Sequence, residues 1–523
     1  MTGDGRQAAA SVAGGAVHRP GPAAIVARAG AAGRRSLARA AGIPLPLAAF
    51  IVVAAIHVAG WMAVTPAFQG PDEPAHFAYA QHLAETGSPP EKLGGNGRSN
   101  STEQSQAMEW AGLHSLIGVI GARPAWSEAE ERRWEEVEAA LPPEASADGE
   151  GPNAVAGNPP LYYAYEAIAY HLAPGGSLFA RLSAMRVASA LLYLAMVPLA
   201  WLIAAELFSQ LWARALVTAI VALHPKLASL GASINPDVLL STVWTAFLFV
   251  AVRTLRRGPT RGRLIAIGLL SAASLLTHGR GLAILGPLLA LLLFLALRHR
   301  PPLRQAALAG GIPLAIVGTG VGVLLVFRAL SSGEGAYSGE IAGFAEQQFN
   351  VRQFLSYVWQ FYLPKLEFMQ PTIGLQDYGF REVFVGGFFG DYAALEITLP
   401  RNVIDVLEVG MVLLFLALYT LAVRRWGSVR KWWDTAALLL IAGVSMIFLV
   451  HVTSYRNMLI TPSDPLFAGR YLLPLVSIFA VGVVVVVAAL PRRLAAVAAG
   501  LIVGFGIAMA VSGLGMSLVR FYA

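Results

Sequence analysis

The stretch Gln69-Gly70-Pro71-Asp72-Glu73-Pro74-Ala75-His76-Phe77-Ala78-Tyr79 directly follows the first long apolar run of the chain, which begins near Leu45. That run is roughly 20 residues long, the length that a helix needs to cross the hydrocarbon core of a bilayer. Two adjacent carboxylates, Asp72 and Glu73, and the imidazole of His76 therefore stand where the chain leaves the membrane. The sequence thus predicts a membrane protein with a cluster of polar side chains at the end of its first span.

The composition favours a protein with many membrane spans. Of the 523 residues, 56% are hydrophobic and only 13% are charged, and the mean hydropathy is +0.60. In soluble domains roughly a quarter of the residues are charged. The chain has no cysteine, which excludes disulfides, thiol redox chemistry and thiolate metal sites. The net charge of +7 does not indicate a nucleic-acid partner, because arginines gather in the cytoplasmic loops of membrane proteins.

About eleven apolar runs are long enough to be predicted as spanning helices. After the first, they lie at about 182–205, 211–229, 237–254, 263–278, 281–298, 305–328, 403–423, 435–452, 470–490 and 494–517. Basic residues precede the first run and follow the fourth, sixth, eighth and tenth. They are Arg28, Arg34, Arg35 and Arg39; Arg253, Arg256, Arg257, Arg261 and Arg263; Arg298, Arg300 and Arg304; Arg424, Arg425, Arg430 and Lys431; and Arg492 and Arg493. Such residues mark the cytoplasmic side, so the N-terminus is predicted to lie inside.

The predicted fold class is an all-α polytopic membrane protein with about 11 transmembrane helices. Residues 1–42 have no apolar period, which predicts a disordered cytoplasmic tail. Residues 43–523 are predicted to form one multi-pass domain with two long extracytoplasmic loops, at about 66–180 and 329–402. Loops of that length are uncommon unless they serve a function.

Each long loop contains a predicted helix. In the first, Ser127-Glu128-Ala129-Glu130 is a capping box and predicts a surface helix that ends at Pro142-Pro143. In the second, aromatic residues between 344 and 368 predict an amphipathic helix at the level of the lipid headgroups, with a sugar-stacking platform as the alternative. The glycine-rich segment 384–392 is predicted to be a tight, aromatic-packed turn and not a regular element.

Further polar residues are predicted to lie at the outer ends of spans. They are Lys226, Asn235, Asp237, His278, Arg280, His451, Arg456 and Arg470. Short outer connections should be poor in basic residues, and any one of these cations could simply snorkel to the lipid headgroups. As a group they are better explained by a shared anionic ligand, because ionisable groups at membrane depth are costly and usually mark a site. A lipid-linked phosphate fits, with its tail between helices and its head on the cations.

The acidic stretch has other interpretations. Asp72 could cap the helix that is predicted to begin near Pro74, with Glu73 favoured in its first turn by the helix dipole. Asp72, Glu73 and His76 could also bind a divalent cation, but one histidine with two neighbouring carboxylates is a weak metal signature. Neither a resident metal nor another cofactor is predicted. His57, inside the first span, is predicted to be a packing residue.

Four motifs occur in the same order and at similar places in a family of bacterial multi-pass proteins. They are Pro71-Asp72-Glu73-Pro74-Ala75-His76-Phe77, Asn158-Pro159-Pro160-Leu161-Tyr162-Tyr163, Asn235-Pro236-Asp237 and Gly469-Arg470-Tyr471-Leu472-Leu473-Pro474. That family is similar to the GT-C superfamily of integral membrane glycosyltransferases, which use polyprenyl-phosphate sugars. The resemblance implies that Asp72 is the catalytic carboxylate, with Glu73 and His76 beside it, and that Arg470 contacts the phosphate. Asn158 stands where related motifs often have histidine, so no catalytic role is carried over to it.

The sequence therefore predicts an inverting glycosyltransferase of the bacterial plasma membrane, with its site on the extracytoplasmic face. Asp72 is the expected general base for the acceptor hydroxyl. The expected contacts of the donor phosphate are Arg470, Lys226, Arg280, His278 and Arg456. The residues expected to bind substrate are Tyr163, Asn235, Asp237 and His451. The expected partners are a polyprenyl-phosphate sugar donor, a glycan or glycolipid acceptor of the cell envelope, and membrane lipids.

Two other functions are compatible with the sequence. A transporter or flippase of a lipid-linked sugar would need the same phosphate-binding cations. Transporters often show repeated halves with broken helices near the midplane, and the sequence shows no such repeat. A non-catalytic membrane scaffold explains the topology but leaves the outer cations unexplained.

Overall fold

The apolar runs of the sequence form helices that pack against one another. The computed structural model describes residues 42–90, 99–124, 127–149, 153–299, 302–332, 349–370, 380–460 and 468–523. Ala49–Ala523 form one compact unit; of the other unit, Met1–Ala48, residues 42–48 are described. Within the described ranges there is no β-strand, only an isolated bridge between Tyr392 and Ile397. The prediction of an all-α polytopic fold is confirmed, whereas the predicted tail lies outside the described residues apart from residue 42.

The helices differ widely in length. In the first half of the chain they are α1 (Leu45–Val64), α2 (Glu73–Thr86), α3 (Thr102–Trp110), α4 (Leu113–Leu116), α5 (Glu128–Ala139), α6 (Leu161–His171), α7 (Leu178–Leu207), α8 (Leu211–Ala222), α9 (Pro225–Gly231), α10 (Pro236–Arg257), α11 (Arg261–Thr277) and α12 (Leu285–His299). In the second half they are α13 (Leu303–Ser332), α14 (Val351–Tyr362), α15 (Gly387–Phe389), α16 (Arg401–Arg424), α17 (Trp426–Val429), α18 (Trp433–Ile460), α19 (Val476–Ala488) and α20 (Arg492–Tyr522). Turns of 3-10 helix lie at Pro143–Ser146, Gly279–Ile284, Arg430–Trp432 and Gly469–Leu475.

Nine helical segments of the described chain are long and apolar enough to cross a membrane, or ten if the bent pair α8 and α9 is one span. The two helices of that pair meet at an angle of 55°. The predicted count of eleven is not confirmed. The run near 263–278 forms α11, whose 17 residues extend about 25 Å, less than the hydrocarbon thickness of about 30 Å.

Two of the helices begin with the same capping device, and both carry a charged residue at their second position. Asn235 accepts a hydrogen bond from the backbone N–H of Asp237 (3.0 Å) with Pro236 as the first residue of α10. His224 accepts from the backbone N–H of Leu227 (3.3 Å) in front of Pro225 of α9. Proline suits the first helical position because its missing N–H would have no partner there. The caps thereby fix the backbones of Lys226 and Asp237 where two helices start.

Helix α10 lies at the centre of the helix packing. In the most apolar stretch of α10, 72% of the residues are buried inside the protein. The corresponding share is 6% in α16 and 11% in α20. The 22 residues of α10 extend about 33 Å and separate two groups of charges. Asp237 stands at one end, and at the other Arg253 and Arg257 form ion pairs with Glu206 at 3.2 and 3.0 Å. Charged residues therefore lie at both ends of α10 and leave its middle apolar.

Both helices predicted in the long loops are present. Helix α5 is capped by Ser127, whose hydroxyl accepts from the backbone N–H of Glu130 (3.3 Å). Helix α14 is amphipathic and buries Phe354, Tyr357 and Phe361; its predicted position at the headgroups stays a prediction.

The glycine-rich segment 384–392 differs from the prediction. A turn of π-helix at Phe380–Gly386 continues into α15, so the backbone is helical as far as Phe389. The prediction that no regular element forms there is wrong. The backbone at Gly387 passes very close to Gly469, and a Cβ on Gly387 would lie 2.7 Å from the Gly469 nitrogen. Only glycine therefore fits at position 387 of this helical turn.

Candidate active site

Asp72 adopts a strained backbone conformation immediately before α2. Its φ and ψ are 57° and 16°, in the left-handed region, which costs a residue other than glycine about 1–3 kcal/mol and is typical of functional sites. Asp72 occupies the N-cap position, yet its side chain makes no capping hydrogen bond. The interpretation of Asp72 as a helix cap is therefore wrong, and its carboxylate is free to face other groups.

The partner of the Asp72 carboxylate is the guanidinium of Arg470, whose Nη2 forms an ion pair with Oδ2. The Asp72 side chain is 54% exposed, whereas that of Arg470 is 11% exposed. Partial burial would raise the pKa of Asp72, but the charge of Arg470, with smaller contributions from His76 and Lys226, outweighs it and holds the pKa below its ordinary value. Asp72 is thus an accessible, ionised carboxylate at neutral pH.

Glu73 is fully buried and has a different environment. Its carboxylate accepts two hydrogen bonds from Arg186 (2.6 and 2.8 Å), one from the backbone N–H of Gly70 (3.0 Å) and one from that of Ile234 (3.1 Å). With four donors around two oxygens, little acceptor capacity is left for a substrate. The position of Glu73 ties the Asp72 turn to the segment before α10.

Arg186 was not found by sequence reasoning. It also donates to the backbone carbonyls of Thr65 (3.0 Å) and Pro66 (2.8 Å), so one guanidinium connects the end of α1, the acidic turn and α7. The available signal was a lone arginine inside the apolar run at about 182–205, because a charge within a span usually has a partner.

His76 is buried between the side-chain amide of Asn235 and the phenol of Tyr163. Because the Asn235 carbonyl oxygen accepts from the Asp237 N–H, its amide nitrogen faces His76 Nε2 (3.4 Å) and the Pro71 carbonyl (3.1 Å). His76 Nε2 is then an acceptor, so the proton of the neutral ring lies on Nδ1 and is donated to the hydroxyl of Tyr163 (2.9 Å). Burial lowers the pKa of His76 to about 4 despite the nearby Asp72 carboxylate.

Tyr163 is held by several neighbours. Its hydroxyl oxygen also accepts from the side-chain amide of Asn158 (3.0 Å), and its ring stacks on Tyr79 with 3.6 Å between centroids. Two donors, from His76 and Asn158, thus occupy the hydroxyl oxygen of Tyr163. Asn158, to which no role was assigned, therefore orients a residue that was expected to bind substrate.

Two guanidinium groups lie on either side of the Asp237 carboxylate. Arg280 Nη2 donates to Oδ1 (2.6 Å), and Arg470 Nε lies 3.7 Å from Oδ2. His278 orients Arg280, since its Nδ1 accepts from the Arg280 backbone N–H (3.1 Å). The ring of Tyr471 lies 3.5 Å from the Arg280 guanidinium carbon and 5.6 Å from that of Arg470. Asp237 thus brings two like charges together on one aromatic face.

Both guanidinium groups retain unused hydrogen-bond donors. Among the described residues, Arg280 Nη1 has no hydrogen-bond acceptor, and Arg470 Nε has only the Asp237 carboxylate at 3.7 Å, too far for a hydrogen bond. Lys226, which is 1% exposed, donates to the backbone carbonyl of Asp391. Buried donors without partners cost about 1–3 kcal/mol each, and arginine cannot relieve that cost by losing its proton. The arrangement is suited to an anion that would satisfy these donors.

Gly469, directly before Arg470, touches the backbone of the π-helical turn and α15. A Cβ on Gly469 would lie closer than 3.0 Å to backbone atoms of Val383, Gly387 and Phe388. Backbone atoms cannot rotate away as side chains do. The close approach therefore requires glycine and fixes the backbone from which the Arg470 side chain extends.

Replacement of Gly469 by alanine is expected to displace Arg470 and to lower the free energy of unfolding by about 1–3 kcal/mol, the usual cost of overpacking. Thermal unfolding in detergent measures this change. The control is Gly482→Ala on α19, where a Cβ would meet Leu418 at an ordinary 3.4 Å. Equal stability of the Gly469→Ala and Gly482→Ala proteins would contradict the proposed close packing.

Two further predicted site residues, His451 and Arg456, lie on α18. His451 contacts two tyrosines that belong to α14, with 2.8 Å from Nδ1 to the Tyr357 hydroxyl and 2.8 Å from Nε2 to the Tyr362 hydroxyl. Both ring nitrogens are therefore engaged in holding α14 on α18. Arg456 follows His451 on α18, near the end of that helix. His57 contacts the carbonyl of Ala222 (3.3 Å) and accepts from the Trp61 indole (3.2 Å), as expected of a packing residue.

An apolar cavity of about 720 Å³ lies between α8, α16, α19 and α20. It includes His224 and Pro225, which directly precede Lys226, and Phe389, which precedes Asp391 by two residues. Its other walls are aliphatic and aromatic side chains such as Leu223, Met411, Leu414, Val483, Phe505 and Met509. Two segments of its wall are thus close in sequence to Lys226 and to Asp391.

The described part of the chain contains no group of three or more histidine, aspartate or glutamate side chains arranged to hold a metal ion. The expectation that no resident metal is needed stays a prediction.

Comparison with known proteins gives a family match and similar structures. Residues 56–479 match the family model described as Predicted membrane protein (DUF2142). No curated protein matches the chain. ArnT from Cupriavidus metallidurans is similar in its apo crystal structure, with 14% identity, a TM-score of 0.42 and coverage of 85% of this chain and 60% of ArnT. The ArnT structure bound to undecaprenyl phosphate has 15% identity, a TM-score of 0.41 and the same coverage.

A third similar structure is the apo form of the oligosaccharyltransferase from Archaeoglobus fulgidus. It has 13% identity and a TM-score of 0.44, and the match covers 90% of this chain and 56% of that one. The chain therefore spans about three-fifths of the length of the solved proteins that it matches. At these scores the likeness assigns neither a substrate nor a reaction to this chain.

Proposed function

We propose that this chain, which belongs to the Predicted membrane protein (DUF2142) family, transfers a sugar from a polyprenyl-phosphate donor to an acceptor of the cell envelope. The observation that carries the proposal is the grouping of three buried cations, Lys226, Arg280 and Arg470, with the accessible carboxylate of Asp72. The apolar cavity, whose wall includes Pro225 next to Lys226 in sequence, would take the lipid tail. A ligand with an anionic head and a long apolar tail fits both parts.

The cations would stabilise the leaving group. Transfer breaks the bond between the anomeric carbon and the phosphate oxygen, so negative charge grows on the departing polyprenyl phosphate. The unused N–H groups of Arg280 and Arg470 would satisfy their hydrogen-bonding capacity on the phosphate oxygens, and Lys226 would add a third positive charge. Such preorganised donors are worth most where charge develops in the transition state.

Asp72 would remove the proton of the acceptor hydroxyl. In the unliganded site the ion pair with Arg470 lowers its basicity. A bound donor phosphate competes for Arg470, which weakens the hold of that guanidinium on Asp72 and raises the basicity of the carboxylate. The acceptor oxygen then bonds to the anomeric carbon while its proton passes to Asp72. Attack opposite the departing phosphate inverts the anomeric centre.

The charges at the two ends of α10 support an extracytoplasmic site. Arg253 and Arg257 lie at the end of α10 opposite Asp237, and Arg298 pairs with Asp434 between α12 and α18. Basic residues at span ends favour the cytoplasmic side. By that rule Asp72 and its cations face the outside of a bacterial plasma membrane, where a lipid-linked sugar meets cell-envelope glycans.

The pH dependence of kcat/KM is expected to have its acid limb below about pH 5, because kcat/KM reports the groups of the free enzyme. Asp72 must be ionised to act as a base, and Arg470 holds the pKa of this carboxyl below its ordinary value. His76 must be neutral for its Nε2 to accept from the Asn235 amide, and its pKa is about 4. The acid limb of kcat should lie at higher pH, since the donor phosphate takes Arg470 from Asp72. An acid limb of kcat/KM near pH 6.5, measured on protein that stays folded, would contradict these assignments.

The proposal is tested with purified protein in liposomes that contain a donor with a labelled sugar, together with membrane extract as the source of acceptor. Transfer predicts that the label leaves the lipid and that free polyprenyl phosphate appears. A transporter instead predicts that the intact labelled lipid equilibrates between the two leaflets. Equilibration without any loss of label from the lipid would overturn the proposed transferase.

A further inference from the structure

The segment around Asp391 is the second place in the described chain where residues other than glycine adopt left-handed backbone angles. Asp391, Ala393 and Leu395 have φ values of 60°, 53° and 66°. Such conformations persist only where the surrounding structure fixes them. Here Tyr392 holds the segment in place. Its ring lies 4.7 Å from that of Trp61, and its hydroxyl donates to the Phe389 carbonyl (3.0 Å).

The two polar groups of Asp391 face the cation group. Its backbone carbonyl accepts the hydrogen bond from Lys226 Nζ. Its carboxylate lies beside the start of the Arg470 turn, since a Cβ on Gly387 would be 3.2 Å from Asp391 Oδ2 and 2.7 Å from the Gly469 nitrogen. Asp391 therefore lies near the same cations as Asp72, since both carboxylates act on Lys226.

The Asp391 carboxylate differs from the other carboxylates of the site in having no partner among the described residues. Asp72 pairs with Arg470, Asp237 with Arg280, and Glu73 with Arg186. In the described structure no hydrogen bond or ion pair engages the Asp391 carboxylate, and the residue is partly exposed. Burial raises the pKa of Asp391, although the charge of Lys226 opposes that shift. Its carboxylate oxygens keep their full capacity to accept hydrogen bonds.

We propose that Asp391 binds hydroxyl groups of the sugar carried by the donor and so contributes to sugar specificity. This inference rests on the proposed function. In a polyprenyl-phosphate sugar the phosphate is bonded to the anomeric carbon, so the nearest ring hydroxyls lie a few ångströms from the phosphate. Lys226 and the Asp391 carbonyl fix the distance between the phosphate-binding cations and the Asp391 carboxylate. A carboxylate accepts charge-assisted hydrogen bonds from hydroxyl groups, and the ligand class is a sugar with free hydroxyls next to its anomeric carbon.

The test compares binding of two lipids, polyprenyl phosphate and the same lipid carrying its sugar, by the wild-type protein and by Asp391→Gly. Glycine adopts a φ of 60° without strain, so this variant should be at least as stable as the wild type. It also keeps the backbone carbonyl that holds Lys226. Asp391→Asn is a second variant, because asparagine also tolerates the left-handed region. The control is Asp405→Asn, which removes an exposed carboxylate of α16.

We expect Asp391→Gly to weaken binding of the sugar-bearing lipid by about 10- to 100-fold, the range for losing hydrogen bonds to a charged group. Binding of the lipid without sugar should stay within about twofold of the wild type. Equal weakening of both lipids would overturn the inference, because Asp391 would then act only through Lys226. Unchanged binding of both lipids by Asp391→Gly would also overturn it while leaving the proposed function intact. If the wild type binds neither lipid, the proposed function fails and this inference fails with it.

Discussion

Replacement of Asp72 by asparagine is expected to lower kcat for sugar transfer by about 10²- to 10⁴-fold, the usual contribution of a general base. Asparagine is close in shape and tolerates the left-handed backbone that Asp72 adopts, so the fold of the acidic turn should persist. The Asp72 side chain is 54% exposed, which keeps the stability cost of the change small. Initial rates of transfer from a labelled donor measure the effect.

Binding of the donor lipid is a second measurement on the same variant. The neutral amide releases Arg470 from its ion pair, so polyprenyl phosphate should bind to Asp72→Asn as tightly as to the wild type or more tightly. The control is Glu109→Gln, which changes an exposed carboxylate in α3, in the same segment between α1 and α7, and should leave transfer unchanged. A kcat of Asp72→Asn equal to that of the wild type would remove Asp72 as the base.

The largest loss of stability is expected for Glu73→Gln, at about 3–5 kcal/mol in the free energy of unfolding. All partners of the Glu73 carboxylate are donors, from Arg186, Gly70 and Ile234, so the amide nitrogen of glutamine would face another donor. The guanidinium of Arg186, 7% exposed, would lose its counter-charge in a buried place. Thermal unfolding of the purified variant measures the loss.

A double variant separates this structural role of Glu73 from catalysis. Glu73→Gln combined with Arg186→Met removes both charges, and it should be more stable than Glu73→Gln alone because no unpaired buried charge remains. At a temperature where Glu73→Gln is still folded, transfer per folded molecule should fall far less than in Asp72→Asn. A fully stable Glu73→Gln protein with no transfer activity would instead make Glu73 a catalytic residue.

The helical architecture could be predicted because long apolar runs leave few alternatives in a membrane. The number of spans could not, since hydropathy does not show where a helix ends. Helix α11 is 17 residues long, and the run at about 211–229 breaks at His224-Pro225 into two helices at 55°. Both differences depend on caps and prolines inside runs that are apolar throughout.

The grouping of Asp72, Lys226, Arg280 and Arg470 could also be predicted, because charges at span ends are rare and costly. The different environments of Asp72 and Glu73 could not. They depend on the left-handed φ of Asp72, which turns one carboxylate toward Arg470, and on Arg186, which encloses the other.

His451 and Asp391 show the same limit of sequence reasoning. The ring nitrogens of His451 meet Tyr357 and Tyr362, which lie about 90 residues earlier in the chain, and no local pattern links them. Asp391 stands between α15 and α16, next to Gly390 and without a charged neighbour in sequence. Its approach to Lys226 arises only when the strained segment after α15 packs on α1.

The most direct test of the proposed site is a structure of the protein with a bound polyprenyl-phosphate sugar. Phosphate oxygens are expected within hydrogen-bond distance, about 2.7–3.2 Å, of Arg280 Nη1 and Arg470 Nε. The lipid tail is expected in the cavity lined by Phe389 and Leu414, and the anomeric carbon on the side of Asp72. A phosphate bound at the opposite end of α10, near Arg253 and Arg257, would contradict the proposed site.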